Sequence, residues 1–384
     1  MNSRSTSAYI DEPYVIMIRS GPVWKLEEGL GFIAETLQSR FDGEILTWSP
    51  EWGEMTCGRV RVLRFPMPYE KPVLGRIRYV FRVWKRAFRA RVVLRRKLVI
   101  TTYDPFQSGI IGLLIKWSLG ATLICEINGV YDDPALYTED GNRGKEQARR
   151  HRRLRFGSFI LRHCDGIKLL FPEQLSAFNM SGGSPAIAVF HNIVDSERFQ
   201  PEGREPEPRI LLVGTPFAVK GVDLLLEAFG RLAPEFPRWE LDIVGWQLEE
   251  PAQRLDLPRE RVRFTGPLPP SEVASAMETA SIFALPSRTE GMGRVLLEAA
   301  FMGRPRIGSR VGGIPSTIVD GEDGLLVEPG DVDDLVRALR ALMSDAGLRK
   351  RMGEAARARA CEAHDRDAYI RSYSTFISTV CQPS

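Results

Sequence analysis

Glu290 and Glu298, bracketing a Gly-Met-Gly step, are the side chains in this sequence best placed to do chemistry. They lie in Ser287-Arg288-Thr289-Glu290-Gly291-Met292-Gly293-Arg294-Val295-Leu296-Leu297-Glu298. The apolar run before them, closed by Pro286, reads as a buried strand. Helix-forming residues from Val295 to Met302 follow, so the unit is strand, glycine loop, helix. A helix entered through glycines leaves its first N–H groups unpaired, and its dipole favours negative charge there. Such an end seats a phosphate. Glu298 falls in the second turn, with a side chain that leans back toward the helix start. Two carboxylates then flank an anion-binding floor. That suits a ligand with hydroxyls at both ends and phosphate between, which is the chemistry of a nucleotide sugar. A plainer assignment stays open: Glu298 pairs with Arg294 on a solvated face, and Glu290 is a loop carboxylate.

The order Glu290, Gly291, Met292, Gly293, Glu298 resembles the donor-site signature of glycosyltransferase family 4, the retaining enzymes of the GT-B fold. The similar succession runs from Val213 to Leu339. The resemblance implies that Glu290 orients the donor sugar's hydroxyls, that Gly291 to Gly293 present N–H groups, and that Glu298 accepts from the ribose. Upstream, a strand over 209–213 leads into Gly214-Thr215-Pro216-Phe217-Ala218-Val219-Lys220-Gly221 and a helix over 222–232. A strand-to-helix loop with glycines and a lysine resembles a phosphate cradle. It is not a Walker loop, because Gly-Lys-Ser/Thr is missing. In the family this loop carries an arginine after the first glycine, and then a lysine, both on the donor diphosphate. Lys220 matches, whereas Thr215 stands where the arginine is expected. Arg288, Arg294 and Arg19 are candidate replacements. Gly245 and Gly266 end two further strands whose loops, by the resemblance, approach base and ribose. Trp246 either stacks on the base or packs within its loop. Gly312 and Gly313, after a strand from Arg306, are expected to line the phosphates with their N–H groups.

In the first half, a strand over 14–18, Gly29-Leu30-Gly31, a helix over 32–40 and a strand over 44–48 make a Rossmann-like start without the dinucleotide glycine set. Gly29 and Gly31 serve either helix packing or a cleft. A strand over 98–102 ends at Tyr103-Asp104-Pro105-Phe106, which resembles the corresponding family loop and by that resemblance puts Asp104 on the cleft and acceptor side. The strand over 121–127 ends at Asn128-Gly129-Val130-Tyr131. Many family members carry His-Gly there, beside the reacting sugar. An amide hydrogen-bonds but does not titrate, so Asn128 joins Lys220 and Glu290 as a catalytic position without acid–base duty. Tyr131 opens an acceptor-side loop reaching to Asn142. His191-Asn192-Ile193-Val194-Asp195 resembles the family's domain boundary, and the Pro- and Glu-rich stretch 202–208 reads as a linker. The expected fold class is α/β, a GT-B pair of doubly wound Rossmann-like domains facing a central cleft. Their expected spans are 1–200 for the acceptor-side domain and 201–362 for the nucleotide-sugar domain. A C-terminal helix over 363–384 is expected to cross back to the first.

Charge separates the halves. Residues 1–200 carry 29 Lys+Arg against 21 Asp+Glu, and the remainder 23 against 28. A basic first half suits an anionic surface or ligand. Ten of its cations, with no acid among them, fall in 76–97 (Arg76, Arg78, Arg82, Lys85, Arg86, Arg89, Arg91, Arg95, Arg96, Lys97), interleaved with Tyr79, Phe81, Trp84 and Phe88. On a helix, Val80, Trp84 and Phe88 would form a buried seam. The remaining face reads as a membrane-surface element, with a solvated Arg-rich helix and a nucleic-acid patch as the weaker alternatives. Nucleic acid is not expected as a partner, since no recognised binding module accompanies the patch. The five cysteines have no metal-type spacing and read as reduced thiols. Without a leader pattern or an apolar run long enough to span a bilayer, the expected location is cytoplasmic, peripheral on the inner face of the membrane.

The expected activity is therefore transfer of a sugar from a nucleoside diphosphate sugar to a hydroxyl on a lipid-linked or polysaccharide acceptor, with no cofactor and no metal. A catalytically weak GT-B binding or scaffold protein is the alternative from another class. An epimerase on the same fold is a third.

Overall fold

The computed structural model describes residues 12–22, 30–49, 51–67, 72–132, 143–180, 185–245 and 258–382. Its contacts divide the chain into two units. Residues 1–128, 144–190 and 369–384 form the first, and 129–143 with 191–368 the second. The break at Phe190–His191 precedes the stretch whose composition reads as a linker. That stretch is anchored instead: the N–H groups of Glu202 and Arg204 both donate to the buried Glu278 carboxylate of the second unit.

In chain order the first unit contains β1 (Tyr14–Pro22), α1 (Phe32–Leu37), β2 (Asp42–Ser49), β3 (Gly53–Cys57), β4 (Val60–Pro66) and α2 (Pro72–Phe88). It continues with β5 (Leu98–Thr102), α3 (Gln107–Leu119), β6 (Thr122–Ile127), α4 (Arg143–His163), β7 (Gly166–Leu169) and β8 (Ala186–Val189). These strands form one sheet, ordered β3-β4-β2-β1-β5-β6-β7-β8, parallel except for the β3–β4 hairpin at its edge. β1, β5 and β6 are near-continuous apolar runs because a parallel strand is covered on both faces.

In α2 the buried seam is Tyr79, Val83 and Ala87, one position ahead of the expected Val80, Trp84 and Phe88. Ala87 lets the helix lie close to the sheet, and the Tyr79 hydroxyl reaches the Leu46 carbonyl at 3.2 Å. The larger rings are displaced to the flank, where Trp84 stacks on Phe88 at 5.2 Å and its indole donates to Ser118.

The second unit repeats the plan with β9 (Glu207–Val213), α5 (Phe217–Lys220), α6 (Val222–Leu232), β10 (Glu240–Val244), β11 (Val262–Gly266), α7 (Pro270–Thr279) and β12 (Ala280–Leu285). Then come α8 (Arg294–Phe301), β13 (Arg306–Ser309), β14 (Gly324–Val327), α9 (Val332–Ser344), α10 (Ala346–Ala363) and α11 (Arg366–Cys381). Its six-stranded sheet, β11-β10-β9-β12-β13-β14, is wholly parallel.

The C-terminal run, helical in composition, is two helices. They part at His364–Asp365, where the Asp365 carboxylate accepts the N–H of Ala368 as an N-cap. From Tyr369 onward α11 belongs to the first unit. Its Tyr373, Phe376 and Ile377 fill that unit's core beside Phe41 and Ile124. At about 1.5–3 kcal/mol for each fully buried apolar side chain, this helix is a structural part of the first unit.

Candidate active site

An open parallel sheet binds ligands where its strand order reverses, beyond the carboxyl ends of the strands. In the second unit the reversal lies between β9 and β12. The loops leaving those two strands carry the predicted donor residues. After β9, Gly214 donates its N–H to Val244 at 2.9 Å, and the chain passes through exposed Thr215 into the single turn α5, which ends on Lys220. Gly221 follows in the left-handed region at φ +70°, and a Cβ on it would run into the Pro286 carbonyl. The close approach of the two loops therefore requires glycine there. Gly245, after β10, sits beside this loop and donates to Gly266 at 3.0 Å. Trp246 lies outside the described residues.

The loop after β12 meets Lys220 directly. Glu290 takes the Lys220 ammonium on Oε2 and the Gly291 N–H on Oε1 at 3.1 Å. The two side chains are 17% and 14% exposed. A carboxylate thus occupies the seat that the sequence predicts for phosphate, held by a lysine and a backbone N–H as a phosphate oxygen is held. Met292 is buried beneath the loop. Gly312, at φ +51°, packs so tightly that a Cβ would overlap the Glu290 carbonyl. Gly313 differs from expectation: its N–H donates to the Gly291 carbonyl at 2.9 Å, tying the two loops together, and so does not face outward to a phosphate.

Gly293 caps α8, and Glu298 lies one turn beyond Arg294 as the spacing requires. Of the two sequence assignments of Glu298, the pairing with Arg294 is present, but on a buried carboxylate and not on a solvated face. Glu298 stands 3.3 Å from the Arg294 guanidinium, yet it is buried while Arg294 is 66% exposed. Burial pushes the Glu298 carboxyl above the usual range, with Arg294 and Arg198 pulling against the rise and Asp195 adding to it. A carboxylate accepts stronger hydrogen bonds than a neutral group does.

Of the candidate replacements for the missing arginine, Arg288 is held elsewhere. It is bidentate to Asp223 at 2.7 Å on both arms and also donates to the Ala218 carbonyl. Arg294 serves Glu298. Arg19 lies in the first unit, stacked on Tyr103 at 4.1 Å. Lys220 is left as the cation at the Glu290 seat.

In the first unit, Asn128 ends β6 and donates from Nδ2 to the Tyr103 carbonyl (2.9 Å) and to Glu126 Oε2 (3.1 Å). Sequence reasoning missed what lies beneath it. Glu126 and Lys168 are register partners on β6 and β7, both buried, 3.7 Å apart. The Tyr373 hydroxyl donates to Glu126 at 2.8 Å. Burial alone would raise the Glu126 carboxyl, but Lys168, Arg19, Asn128 and Tyr373 hold it below the usual range. Burial lowers Lys168. The available signal was one charge inside each of two apolar strand runs.

Asp104 is buried and braces the turn into α3: Oδ1 accepts the Phe106 N–H at 2.7 Å, and Oδ2 accepts from the Ser108 hydroxyl at 2.9 Å. Gly31 sits in ordinary helical conformation at the start of α1. Gly29 and most of the expected acceptor loop, 133–142, lie outside the described residues. Tyr131 is described, with its ring against Gly129, and Val130 approaches Gly312 within the second unit. Among the described residues no three His, Cys, Asp or Glu side chains converge as a metal site requires.

Comparison with known proteins gives this geometry a context. A family model described as "Glycosyl transferases group 1" matches residues 194–359, and one described as "Glycosyl transferase 4-like domain" matches residues 30–192. The D-inositol 3-phosphate glycosyltransferase of Corynebacterium kroppenstedtii is 37% identical over 156 residues, 38% of this chain and 35% of that protein. A GDP-mannose-dependent alpha-(1-6)-phosphatidylinositol monomannoside mannosyltransferase of Mycolicibacterium smegmatis is 32% identical over 46% of this chain and 52% of its own length. The chain thus spans about a third to a half of the length of these curated relatives. The solved sucrose-phosphate synthase of Thermosynechococcus elongatus superposes with a TM-score of 0.74 at 19% identity, covering 96% of this chain and 99% of that one. At that identity the likeness is one of fold.

Proposed function

The chain belongs to glycosyltransferase family 4, the group 1 enzymes of the GT-B fold, and from that premise we propose that it transfers a hexose-type sugar from a nucleoside diphosphate sugar to a hydroxyl acceptor with retention of configuration. The observation that carries this reading is the Lys220–Glu290 pair closed by the Gly291 N–H. A diphosphate carries more charge than the carboxylate and takes over the ammonium. Glu290 is then released to accept hydrogen bonds from the donor sugar's hydroxyls. Glu298, buried and weakly partnered, accepts from the ribose.

In the transfer, the bond from the anomeric carbon to the phosphate oxygen breaks and the bond to the acceptor oxygen forms. The acceptor's proton passes to the departing phosphate oxygen. No titrating base is needed, in keeping with an amide at Asn128. Catalysis is positioning together with stabilisation of negative charge on the leaving group, supplied by Lys220 and backbone N–H groups without a metal. The relative named for GDP-mannose supports a nucleotide-sugar donor.

The acceptor, on this reading, is lipid-linked or polysaccharide and is met at an anionic membrane surface. α2 supports this. Arg76, Arg78, Lys85, Arg89 and the nearby Arg95 have no carboxylate partner among the described residues, and Leu74, Ile77 and Phe81 stand exposed between them. Apolar residues flanked by unpaired cations suit the interface of an anionic bilayer. No helix among the described residues is long and apolar enough to cross a membrane.

A thermal-shift panel of UDP, GDP, ADP and their sugars, on wild type and Lys220→Ala, tests the donor site, since a ligand of the native state raises apparent stability. A shift with one nucleotide, lost in the variant, is expected. No shift with any of them at millimolar ligand would make Thr215 decisive and leave a GT-B binding protein without transferase activity.

A further inference from the structure

Two of the chain's four histidines meet inside the second unit. His191 is that unit's first residue after Phe190, and His364 ends α10 shortly before the chain returns to the first unit at Tyr369. Their rings lie nearly parallel, with centroids 4.8 Å apart, and Nδ1 stands 3.3 Å from Nδ1. On its other side, His191 Nε2 is 2.8 Å from the Ser316 hydroxyl oxygen, and that oxygen is 2.6 Å from the Gly313 carbonyl.

These contacts fix the protons. A carbonyl only accepts, so the single hydroxyl proton of Ser316 goes to Gly313, and Ser316 must accept from His191. His191 therefore carries its proton on Nε2. In the neutral ring its Nδ1 is then an acceptor, and an Nδ1–H on His364 is what meets it. One directed chain results: His364 donates to His191, His191 to Ser316, and Ser316 to Gly313.

That chain ends on the donor site. Gly313 donates its N–H to the Gly291 carbonyl, and Gly312 packs against the Glu290 carbonyl. The Gly312–Gly313 turn thus backs the loop that brings Glu290 to Lys220, and Ser316 holds the turn from a single 3₁₀ turn, Ile314–Ser316.

The surroundings favour a neutral pair. Burial first, then Arg359 on α10 and Arg306 on β13, hold His364 down to about 4. Both guanidiniums are shared with Asp323, at 3.2 and 2.7 Å. The carboxylates on the two histidine-bearing stretches are engaged as well: Asp195 pairs with Arg198, Glu197 with Arg366, and Asp365 caps α11. A proton added to the pair would place a further cation beside two guanidiniums.

We propose that His191 and His364 form a clasp, sharing one proton between their Nδ1 atoms, that positions the Gly312–Gly313 turn of the donor site through Ser316 and opens on acidification. Both are positioning residues, since they act through Ser316. The inference deepens the transferase reading by naming a regulation of its donor site, and it rests on that reading only for the ligand affected. The sign with pH follows from linkage. A depressed histidine favours the closed clasp above its open-state pKa of about 6.5, and that preference is lost as pH falls toward 4.

The test reads the clasp in the full chain without a ligand. Imidazole nitrogen NMR at about pH 7.5, with each histidine assigned by substitution, should show His191 protonated on Nε2 and His364 on Nδ1. Hydrogen exchange should find the protection of residues 311–317 lowered about fivefold in Ser316→Ala, the scale of one net hydrogen bond. His191→Phe should lower it similarly, with no further loss in the double variant. If melting shows that His191→Phe damages the fold, the part-exposed Ser316 carries the result. From about pH 7.5 to about pH 5 the wild type should lose protection there about tenfold or more. His364→Asn, whose amide N–H replaces the Nδ1–H and does not titrate, should keep it at both. Titration with the nucleotide that shifts wild type should show the same loss of about fivefold in Ser316→Ala. A His364 proton on Nε2, or unchanged protection in Ser316→Ala, would overturn the clasp. Additive losses in the double variant would overturn its route through Ser316, and wild-type protection indifferent to pH would overturn its opening by acid. If no nucleotide binds wild type, the transferase reading fails, while the spectra and the exchange still decide the clasp.

Discussion

Glu298→Gln separates donor binding from stability, because the structure predicts opposite signs for the two. In the free protein the carboxylate is buried and its charged form is disfavoured by desolvation. Its compensation is a 3.3 Å contact with an arginine that is 66% exposed. An i,i+4 pair with an exposed partner contributes about 0.3–0.5 kcal/mol, and the amide removes the desolvated charge altogether. The variant should therefore melt within about 2 °C of wild type or above it, at roughly 2–4 °C per kcal/mol for a unit of this size. Nucleotide binding should fall. Hydrogen bonds to a charged acceptor are worth about 1.5–3 kcal/mol and neutral ones about 1. Two ribose hydroxyls thus lose about 1–4 kcal/mol together, or roughly 5- to 700-fold in Kd. Titration of the nucleotide that shifts wild type, alongside calorimetric melting, reads both quantities. The sign with pH follows as well. Because the free-state pKa is raised, protonation competes with binding earlier than for an ordinary carboxylate, so wild-type affinity should decline as pH falls through that raised pKa and the Gln variant should be flatter. A variant that loses several degrees of stability while keeping wild-type affinity would refute the reasoning, since Glu298 would then be a structural ion-pair residue.

Three further outcomes follow from the geometry. Gly312→Ala places a Cβ against the Glu290 carbonyl at φ +51°. Left-handed backbone alone costs an alanine about 1–2 kcal/mol, so melting should drop and the nucleotide-induced shift should vanish. Lys168→Met leaves Glu126 buried without its cation, a loss of about 3–5 kcal/mol and on the order of 10 °C. Glu126→Gln added to it should recover part of that loss, as denaturant titration would measure. His364 is held down to about 4 by burial, then by Arg359 and Arg306, and its Nδ1 lies 3.3 Å from Nδ1 of His191. A depressed histidine contributes stability that is fully present above its unfolded pKa of about 6.5 and is lost as pH falls toward 4. His364→Gln should flatten the stability profile across that window by up to about 3 kcal/mol.

Much of the architecture was legible because parallel strands covered on both faces write themselves as apolar runs, and the glycines after them mark where loops must turn. The strand over 262–266, the helix over 222–232 and the donor segment around Glu290 follow from pattern alone. Lys220, Glu290 and Glu298 could be singled out from the sequence by type and spacing, and the structure brings Lys220 and Glu290 into contact. What pattern left open is everything that depends on which side chain meets which. Composition marked 202–208 as a linker, and only the buried Glu278 carboxylate makes it part of the second unit. The α2 seam is displaced by one residue because close helix–sheet approach selects the small Ala87 over the larger Phe88. The sequence determined that a lysine and a glutamate stand in the loops that follow β9 and β12. Tertiary structure decided that they hold each other, because opposite charges brought together at largely desolvated positions attract far more strongly than they do in water.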